Sequence, residues 1–220
     1  MTESKPHRIS IPKYSLSEEL LNSISHGVGA LFGIAAIVLC LCKSIPTGDP
    51  WRIASGTVFG ITVLLLYLMS CLYHALKVNL AKRVFRVIDH CTIFLLIAGT
   101  YTPFTLVTLR GSIGWWLFGA IWGVAVLGIT LNAIDLKKFS KISVACYLLM
   151  GWAIIAAFRP LSQSLAPGGI SLLIWGGVAY TVGAILYGIG AKVKYFHAVF
   201  HFFCLAGTVL HFLAIYLYVM

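Results

Sequence analysis

The sequence predicts an all-α integral membrane protein: a bundle of seven transmembrane helices with a cytoplasmic N-terminus and a C-terminus outside. The first observation behind this prediction is composition. Hydrophobic residues make up 60% of the 220 residues and charged residues only 10%, and the mean hydropathy is +0.96. Soluble domains carry about 25% charged residues, so this composition excludes a water-soluble fold. The spacing of apolar runs and the placement of basic residues are the other two observations.

Seven apolar runs are separated by short stretches that contain charges, proline or glycine. A helix needs about 20 apolar residues to cross the hydrocarbon core. The first run continues for a full span without a small-residue cleavage site, which favours a retained helix over a signal peptide. We therefore expect a cytoplasmic N-terminal segment at 1–21 and a transmembrane domain at 22–220. The predicted spans are 22–42, 53–75, 84–107, 113–133, 142–158, 169–190 and 195–219.

The basic residues set the predicted orientation, because short cytoplasmic loops are enriched in Lys and Arg. The N-terminal segment and the even-numbered connections hold twelve of the 16 basic residues, and the opposite side holds four: Lys43, Arg52, Arg110 and Arg159. This bias predicts an inside N-terminus and an odd number of spans. The net charge of +10 is then explained by membrane insertion and anionic lipid headgroups, so we expect no nucleic-acid partner.

Ionisable side chains inside a span are costly and are by default functional candidates. In the predicted topology, His74 ends the second span while Asp89 and His197 lie near the starts of the third and seventh. Each is three residues from a basic boundary residue, which places it roughly 5 Å inside the membrane, and His201 lies at roughly 10 Å. Three helices thus present imidazoles and a carboxylate near one depth at the cytoplasmic face.

His197 and His201 are spaced i and i+4, so they share one helical face and can bind one metal ion. His74 would complete a three-histidine site with an open fourth position, the arrangement of a catalytic zinc. Asp89 suits a role beside the ligands, accepting a hydrogen bond from a bound water or a ligating imidazole. Ser70 lies one turn before His74 on the same face. The six cysteines form no C-x-x-C pair, so thiolate ligands are not expected.

Simpler interpretations of these polar residues remain open at the level of sequence. The histidine pair could be two interfacial side chains that reach water, and Asp89 could pair with Arg86 one turn away. We interpret His26 and His90 as structural residues, and His211 as a buried, hydrogen-bonded histidine in the outer half.

Several ordered motifs resemble the hemolysin III family, the bacterial branch of the progestin and adiponectin receptor proteins (PAQR). The motifs are EELLNSISHGVG (18–29), SCLYH (70–74), DHCTIFLLIAGTYTPF (89–104), HAVFH (197–201) and HFLAIYLY (211–218). The resemblance implies a seven-helix protein of the bacterial inner membrane with zinc near the cytoplasmic side. It carries the zinc ligands onto His74, His197 and His201, and the neighbouring serine and aspartate onto Ser70 and Asp89.

The wider superfamily includes alkaline ceramidases, so the resemblance suggests hydrolysis of a lipid amide or ester. Asp89 would then be the general base and Ser70 a hydrogen-bond donor to the oxyanion or to Asp89. A site within the membrane favours a lipid substrate that enters between helices. Two alternatives stay open: a non-catalytic sensor or regulator with structural zinc, and a pore-forming cytolysin. The concentration of ionisable groups in the inner half counts against a pore.

Overall fold

A computed structural model describes residues 11–190 and 192–220, and these residues form helices joined by short connections. The helices are α1 (Leu16–Ser44), α2 (Pro50–Ala75), α3 (Leu80–Pro103), α4 (Ser112–Trp152), α5 (Phe158–Ser164), α6 (Pro167–Gly190) and α7 (Phe196–Tyr218). Single turns of tighter or wider helix follow α1, α3 and α4, at Ile45–Thr47, Phe104–Thr108 and Ala153–Ala157. The all-helical fold predicted from composition is confirmed for this part of the chain.

Local sequence signals explain where the first three helices begin. The hydroxyl of Ser15 accepts the backbone N–H of Glu18, and the Glu18 carboxylate accepts the backbone N–H of Ser15. This reciprocal capping satisfies two of the backbone donors that a helix start leaves open. Asp49 caps α2, with Pro50 at its first position, and Asn79 caps α3. The cap at Ser15 matters most here, because it starts α1 inside the segment that we expected to lie outside the first span.

Each helix packs against its neighbours around the bundle. Contacts join α1 to α2, α2 to α3, α3 to α4, α4 to α6, α6 to α7, and α7 back to α1. The α1–α2 pair packs closely, since a Cβ on Gly33 would lie 2.7 Å from the Leu64 Cα. Small residues allow such backbone approach between membrane helices. This packing brings the last turn of α2 and the first turns of α1 and α7 to one end of the bundle.

The long helix α4 is interrupted at Asp135, whose backbone is extended (φ −156°, ψ 91°). The Asp135 carboxylate accepts the backbone N–H of Lys138 at 2.9 Å and so caps the segment that follows. The hydroxyl of Ser143 donates to the Asn132 carboxamide at 2.6 Å. In a straight helix these two residues would be about 16 Å apart along the axis. The chain therefore turns back on itself at Asp135, and the two halves of α4 pack side by side.

Six helical segments of the described chain are long and apolar enough to cross a membrane. Five correspond to the predicted spans 22–42, 53–75, 84–107, 169–190 and 195–219. The sixth, Ser112–Ser164, is 53 residues long and contains both predicted spans 113–133 and 142–158. A multi-pass membrane protein is thus confirmed, whereas the count of seven spans and the orientation of the termini stay predictions.

Candidate metal centre

Three histidines from two helices converge at one end of the bundle. His74 ends α2, and His197 and His201 lie on successive turns at the start of α7. One ring nitrogen from each can be chosen so that all three lie within 4.8 Å of one another. The Nε2 atoms of His197 and His201 are 3.2 Å apart. The structure therefore brings together the three residues that helical spacing and predicted depth had singled out.

The His74 ring is oriented by a carboxylate from α1. Its Nδ1 lies 2.7 Å from Oε2 of Glu19, while its Nε2 is buried and has no hydrogen-bond partner. An imidazole that donates from Nδ1 to a carboxylate presents the Nε2 lone pair on its other side, as metal-ligating histidines do. The ring of His74 is thus held with its free nitrogen toward His197 and His201.

His201 is held in the same sense by backbone and hydroxyl groups of α1. Its Nδ1 lies 3.3 Å from the carbonyl oxygen of Asn22 and 3.4 Å from the hydroxyl of Ser25. Donation from Nδ1 to that carbonyl leaves Nε2 as the acceptor nitrogen that faces His197. His201 and His74 are 1% and 2% exposed, so water does not compensate their inward lone pairs.

These observations fit a divalent metal ion. Converging lone pairs on buried imidazoles repel one another unless a cation or proton lies between them, and three neutral nitrogens match the ligand preference of zinc. His74, His197 and His201 could therefore hold a metal and leave one coordination position for a fourth ligand. The donor set does not by itself identify the metal.

Glu19 also contacts a buried lysine. Its Oε1 accepts a hydrogen bond from Lys82 Nζ at 2.6 Å, and Lys82 Nζ also donates to the carbonyl of Leu76 at 3.0 Å. Lys82 is 2% exposed, and its ammonium lies 5.2 Å from the centre of the Tyr73 ring. A buried ammonium needs this degree of compensation. The contacts link α3 through Glu19 to the His74 ring.

Tyr14 covers the cluster from the segment that precedes α1. Its ring stacks on His197, with centroids 5.0 Å apart, and lies 5.9 Å from the ring of His74. Burial raises the pKa of the Tyr14 hydroxyl well above its ordinary value, which keeps the hydroxyl neutral. The Glu18 carboxylate accepts the backbone N–H of Tyr195 at 2.9 Å, so the start of α1 is also tied to the start of α7.

The structure places the other two predicted site residues on α2 and α3. Ser70 is buried, 1% exposed, one turn before His74 on α2. Asp89 lies on α3 with its Oδ2 at 3.5 Å from Nδ1 of His90. The carboxylate that hydrogen-bonds a clustered imidazole belongs instead to Glu19, a role that we had considered for Asp89. The proposed catalytic roles of Asp89 and Ser70 stay predictions.

The histidines that we interpreted as structural have distinct surroundings. His26 stacks face to face on His201, with centroids 3.6 Å apart, and meets Tyr67 edge-on. The Nδ1 of His90 lies 2.8 Å from the carbonyl of Arg86. His211 Nε2 lies 3.1 Å from the carbonyl of Leu173, which confirms a hydrogen-bonded histidine away from the cluster.

Sequence reasoning missed the contribution of α1. Glu19, Asn22 and Ser25 bond the clustered histidines, and Tyr14 covers them. The signal was present, because Ser15 and Glu18 form the S-x-x-E pattern of a helix start. With α1 beginning at Leu16, Glu19, Asn22 and His26 follow at i, i+3 and i+7 on one face.

An apolar cavity of about 270 Å³ lies in the part of the bundle away from the cluster. Side chains of α3, the end of α4, the turn after it, α5 and α6 line it, and His211 contributes the polar group from α7. The cavity is partly open, and two of the residues that line it, Ile155 and Ile174, are 60% and 43% exposed.

Comparison with known proteins gives consistent matches along most of the chain. The family described as "Haemolysin-III related" matches residues 14–212. Hemolysin-3 of Bacillus cereus is 40% identical over 205 residues, 93% of each chain. The Hemolysin-3 homolog of Bacillus subtilis (strain 168) is 41% identical over 205 residues, 93% of this chain and 96% of that one.

A more distant similarity extends to a human protein, the monocyte to macrophage differentiation factor. It is 23% identical over 208 residues, which cover 91% of this chain and 84% of the human one. No solved structure matches.

Proposed function

Because the chain belongs to the haemolysin-III-related family, we propose that it is a zinc-dependent hydrolase of lipid amides or esters with a role in membrane homeostasis. The family match confirms the resemblance seen in the motifs, and the human relative supports the link to the PAQR superfamily. The observation that carries the proposal is the convergence of three imidazole nitrogens within 4.8 Å. Three histidines with one position left open is the ligand set of a catalytic zinc.

The proposed membrane arrangement has seven spans, an inside N-terminus and a site near the cytoplasmic face. The length of Ser112–Ser164 supports the count, since 53 residues would form a helix of about 80 Å, against a hydrocarbon core of about 30 Å. The turn at Asp135 supports two spans there, with Lys137, Lys138 and Lys141 in the connection between them. The excess of basic residues on that side favours the cytoplasm, and we assign the protein to the bacterial inner membrane.

His74, His197 and His201 would hold the zinc ion, which would supply Lewis-acid chemistry to a carbonyl and to a water molecule. The chain contributes three positioned imidazoles, with Glu19 and the Asn22 carbonyl fixing which nitrogen of His74 and His201 faces inward. We assign Asp89 the general base, which takes the proton of the attacking water, and Ser70 a hydrogen-bond donor to the developing oxyanion or to Asp89. The burial of the histidines strengthens such electrostatic effects.

A lipid is the proposed substrate class because the site lies within the membrane-spanning bundle. The apolar cavity lies away from the three histidines, so it takes no part in the proposed reaction, and we propose that an acyl chain reaches the site between the helices at the cluster end.

The test is a lipid panel on protein purified and reconstituted in lipid nanodiscs. Ceramides, N-acyl lipids and acyl esters are incubated with the protein, and released fatty acid is measured. We expect the wild type to hydrolyse at least one class of lipid. This activity should be lost after chelation and return when zinc is added, and it should be absent in His201→Ala. His211→Ala, which removes an imidazole far from the cluster, is the matched control. Absence of turnover across the panel would overturn the hydrolase proposal.

A second candidate function is a non-catalytic sensor or regulator in which zinc has a structural role. The observation that favours it is that α1, α2, α3 and α7 meet at the cluster through Glu19, Lys82 and the three histidines. A metal there would fasten four helices together. Zinc binding with a large gain in stability but no turnover of any lipid would support this candidate over the hydrolase.

A further inference from the structure

The pair Glu19–Lys82 stands out among buried charged groups outside the three histidines. Glu19 bridges His74 Nδ1 and Lys82 Nζ with its two oxygens, at 2.7 and 2.6 Å. Lys82 is 2% exposed although it lies in the first turn of α3, where a lysine would ordinarily extend to water. Burying an ammonium is costly unless it is compensated, so its placement calls for an explanation.

We propose that Glu19 is the positioning residue of the metal site and that Lys82 fixes the Glu19 carboxylate for this purpose. The inference rests on the metal-binding part of the proposed function and not on hydrolysis. Glu19 acts through His74: it selects the protonated Nδ1 and turns the Nε2 lone pair toward His197 and His201. Lys82 acts one step further away, because it holds the second oxygen of Glu19.

The geometry of α1, α2 and α3 explains why both residues are required. Glu19 lies in the first turn of α1, and His74 lies in the last turn of α2. A terminal turn of a helix is held by neighbouring helical turns on one side only, so other contacts are needed to fix these side chains. Lys82 Nζ donates to the Leu76 carbonyl, which caps the end of α2, as well as to Glu19. One ammonium thereby sets the position of the α2 end and of the α1 carboxylate together.

Glutamate suits this position because its carboxylate has two acceptor oxygens. The group faces two donors, an imidazole N–H and an ammonium, and a carboxylate offers an acceptor oxygen to each. A glutamine offers one oxygen and places an NH₂ group against the remaining donor. Glutamine can therefore replace glutamate at His74 only when Lys82 is also removed, which provides a way to separate the two roles.

The test compares zinc affinity in three variants by competition with a chelator, using full-length protein in nanodiscs. Lys82→Met keeps the Glu19–His74 bond but removes the donor that holds the second oxygen of Glu19, so we expect zinc affinity below that of the wild type and above that of the variant that also loses Glu19. Glu19→Leu/Lys82→Met removes the acceptor without leaving an unpaired ammonium. Loss of a hydrogen-bond partner behind a ligating histidine typically costs about 10–100-fold in metal affinity. We therefore expect Glu19→Leu/Lys82→Met to bind zinc more weakly than Lys82→Met by about that factor.

Glu19→Gln/Lys82→Met is the conservative variant, since its amide oxygen can still accept from His74. We expect it to recover part of the lost affinity. Cobalt(II) provides a second readout: its visible absorption at saturation reports ligand geometry, and we expect a changed spectrum only in the Glu19→Leu double variant. His211→Ala, which removes an imidazole bonded to the Leu173 carbonyl away from the cluster, is the control and is expected to match the wild type.

Equal affinities and identical cobalt spectra in the three variants would overturn the positioning role while leaving the metal site intact. Absence of zinc and cobalt binding in the wild type would instead overturn the metal site and, with it, this inference. A double variant that fails to fold is replaced by Glu19→Asp, whose shorter side chain retains the charge but draws the acceptor away from His74. Wild-type affinity in Glu19→Asp would likewise contradict the proposal.

Discussion

Two regions of this bundle bury imidazoles, and they differ in what surrounds each ring. At one end, His74, His197 and His201 converge, with one ring nitrogen of each close to the others. The Nδ1 atoms of His74 and His201 are hydrogen-bonded to groups of α1. At the other, His211 bonds the Leu173 carbonyl, and its ring packs against the backbone of α6 at Gly176. Both regions hold imidazoles that are buried or half-buried. Among the described residues, only the first region brings three such side chains close enough together to share one metal ion.

The difference shows which observation indicates function in a membrane protein. A single buried histidine with a backbone partner is accounted for by packing and one hydrogen bond. Three histidines whose lone pairs face a common point are costly without a ligand, and the charged groups placed behind them add further cost. The arrangement at the cluster therefore supports the proposed metal site, whereas that of His211 is explained by what it packs against.

The largest effect is expected from Asp89→Asn. If Asp89 is the general base, the variant retains zinc but loses about 10²–10⁴-fold in lipid turnover, the usual contribution of acid–base catalysis. Fatty-acid release and zinc content are measured on the same preparation. Turnover unchanged by Asp89→Asn would remove Asp89 from the chemistry and leave the metal site standing.

Metal removal should affect the two regions differently. A ligand present at 100 times its Kd stabilises the folded state by about 2.7 kcal/mol, so chelation should lower the unfolding temperature of the wild type and of His211→Ala alike. His201→Ala should be unaffected by the chelator. Thermal unfolding with and without EDTA measures this, and a response to EDTA in His201→Ala equal to that of the wild type would place the stabilising metal elsewhere.

Tyr14→Ala sharpens the comparison by opening the cluster to water. The ring covers His197 and His74, and its removal should speed exchange of bound zinc by several-fold without changing the ligand set. Exchange is followed by mixing zinc-loaded protein with an excess of chelator. Tyr14→Phe keeps the ring and is the control. If both variants exchange at the same increased rate, the hydroxyl and not the cover is responsible.

The smallest effect belongs to the other region. His211→Ala removes one hydrogen bond and the ring that fills the space over Gly176, which should cost about 1–3 kcal/mol of stability. Zinc content should remain at the wild-type level. Denaturant unfolding in mild detergent measures the free energy of unfolding. Loss of zinc in His211→Ala would contradict the distinction between the two regions.

The sequence predicted the convergence of His74, His197 and His201 because each step followed from a regular quantity. The helical rise gave the depth, the i and i+4 spacing gave the shared face, and the basic loops gave a common end. The resemblance to the hemolysin III family then pointed to the same residues. None of these steps needed the packing of side chains.

What could not be predicted depended on neighbours that are distant in sequence. Glu19 contacts His74 across 55 positions and Lys82 across 63, and nothing in the local pattern pairs them. The boundary at residue 21 also set Glu19 apart from the bundle, although α1 begins at Leu16. A carboxylate in a first turn is ordinarily explained by the helix dipole, so its contact with an imidazole of α2 becomes evident only in three dimensions.

The connection between the two halves of α4 was predicted only in part from the sequence. The cluster of Asp135, Lys137, Lys138 and Lys141 indicated a break between two spans, whereas the backbone remains helical on both sides of Asp135 up to the turn. Charge marks where a chain leaves the membrane, but it does not determine how much of the connection is helical. The backbone shows that only Asp135 departs from helical geometry, and the bond from Ser143 to Asn132 shows that the two halves fold back against each other.

The most direct test of the central claim is the metal content of purified protein. The account predicts about one zinc ion per chain in the wild type and in His211→Ala, with His74→Ala, His197→Ala and His201→Ala each losing most of it. Elemental analysis of protein purified without added metal, alongside folded-state controls by circular dichroism, provides the measurement. Full zinc occupancy in folded His197→Ala and His201→Ala, or none in the wild type after zinc addition, would contradict the account.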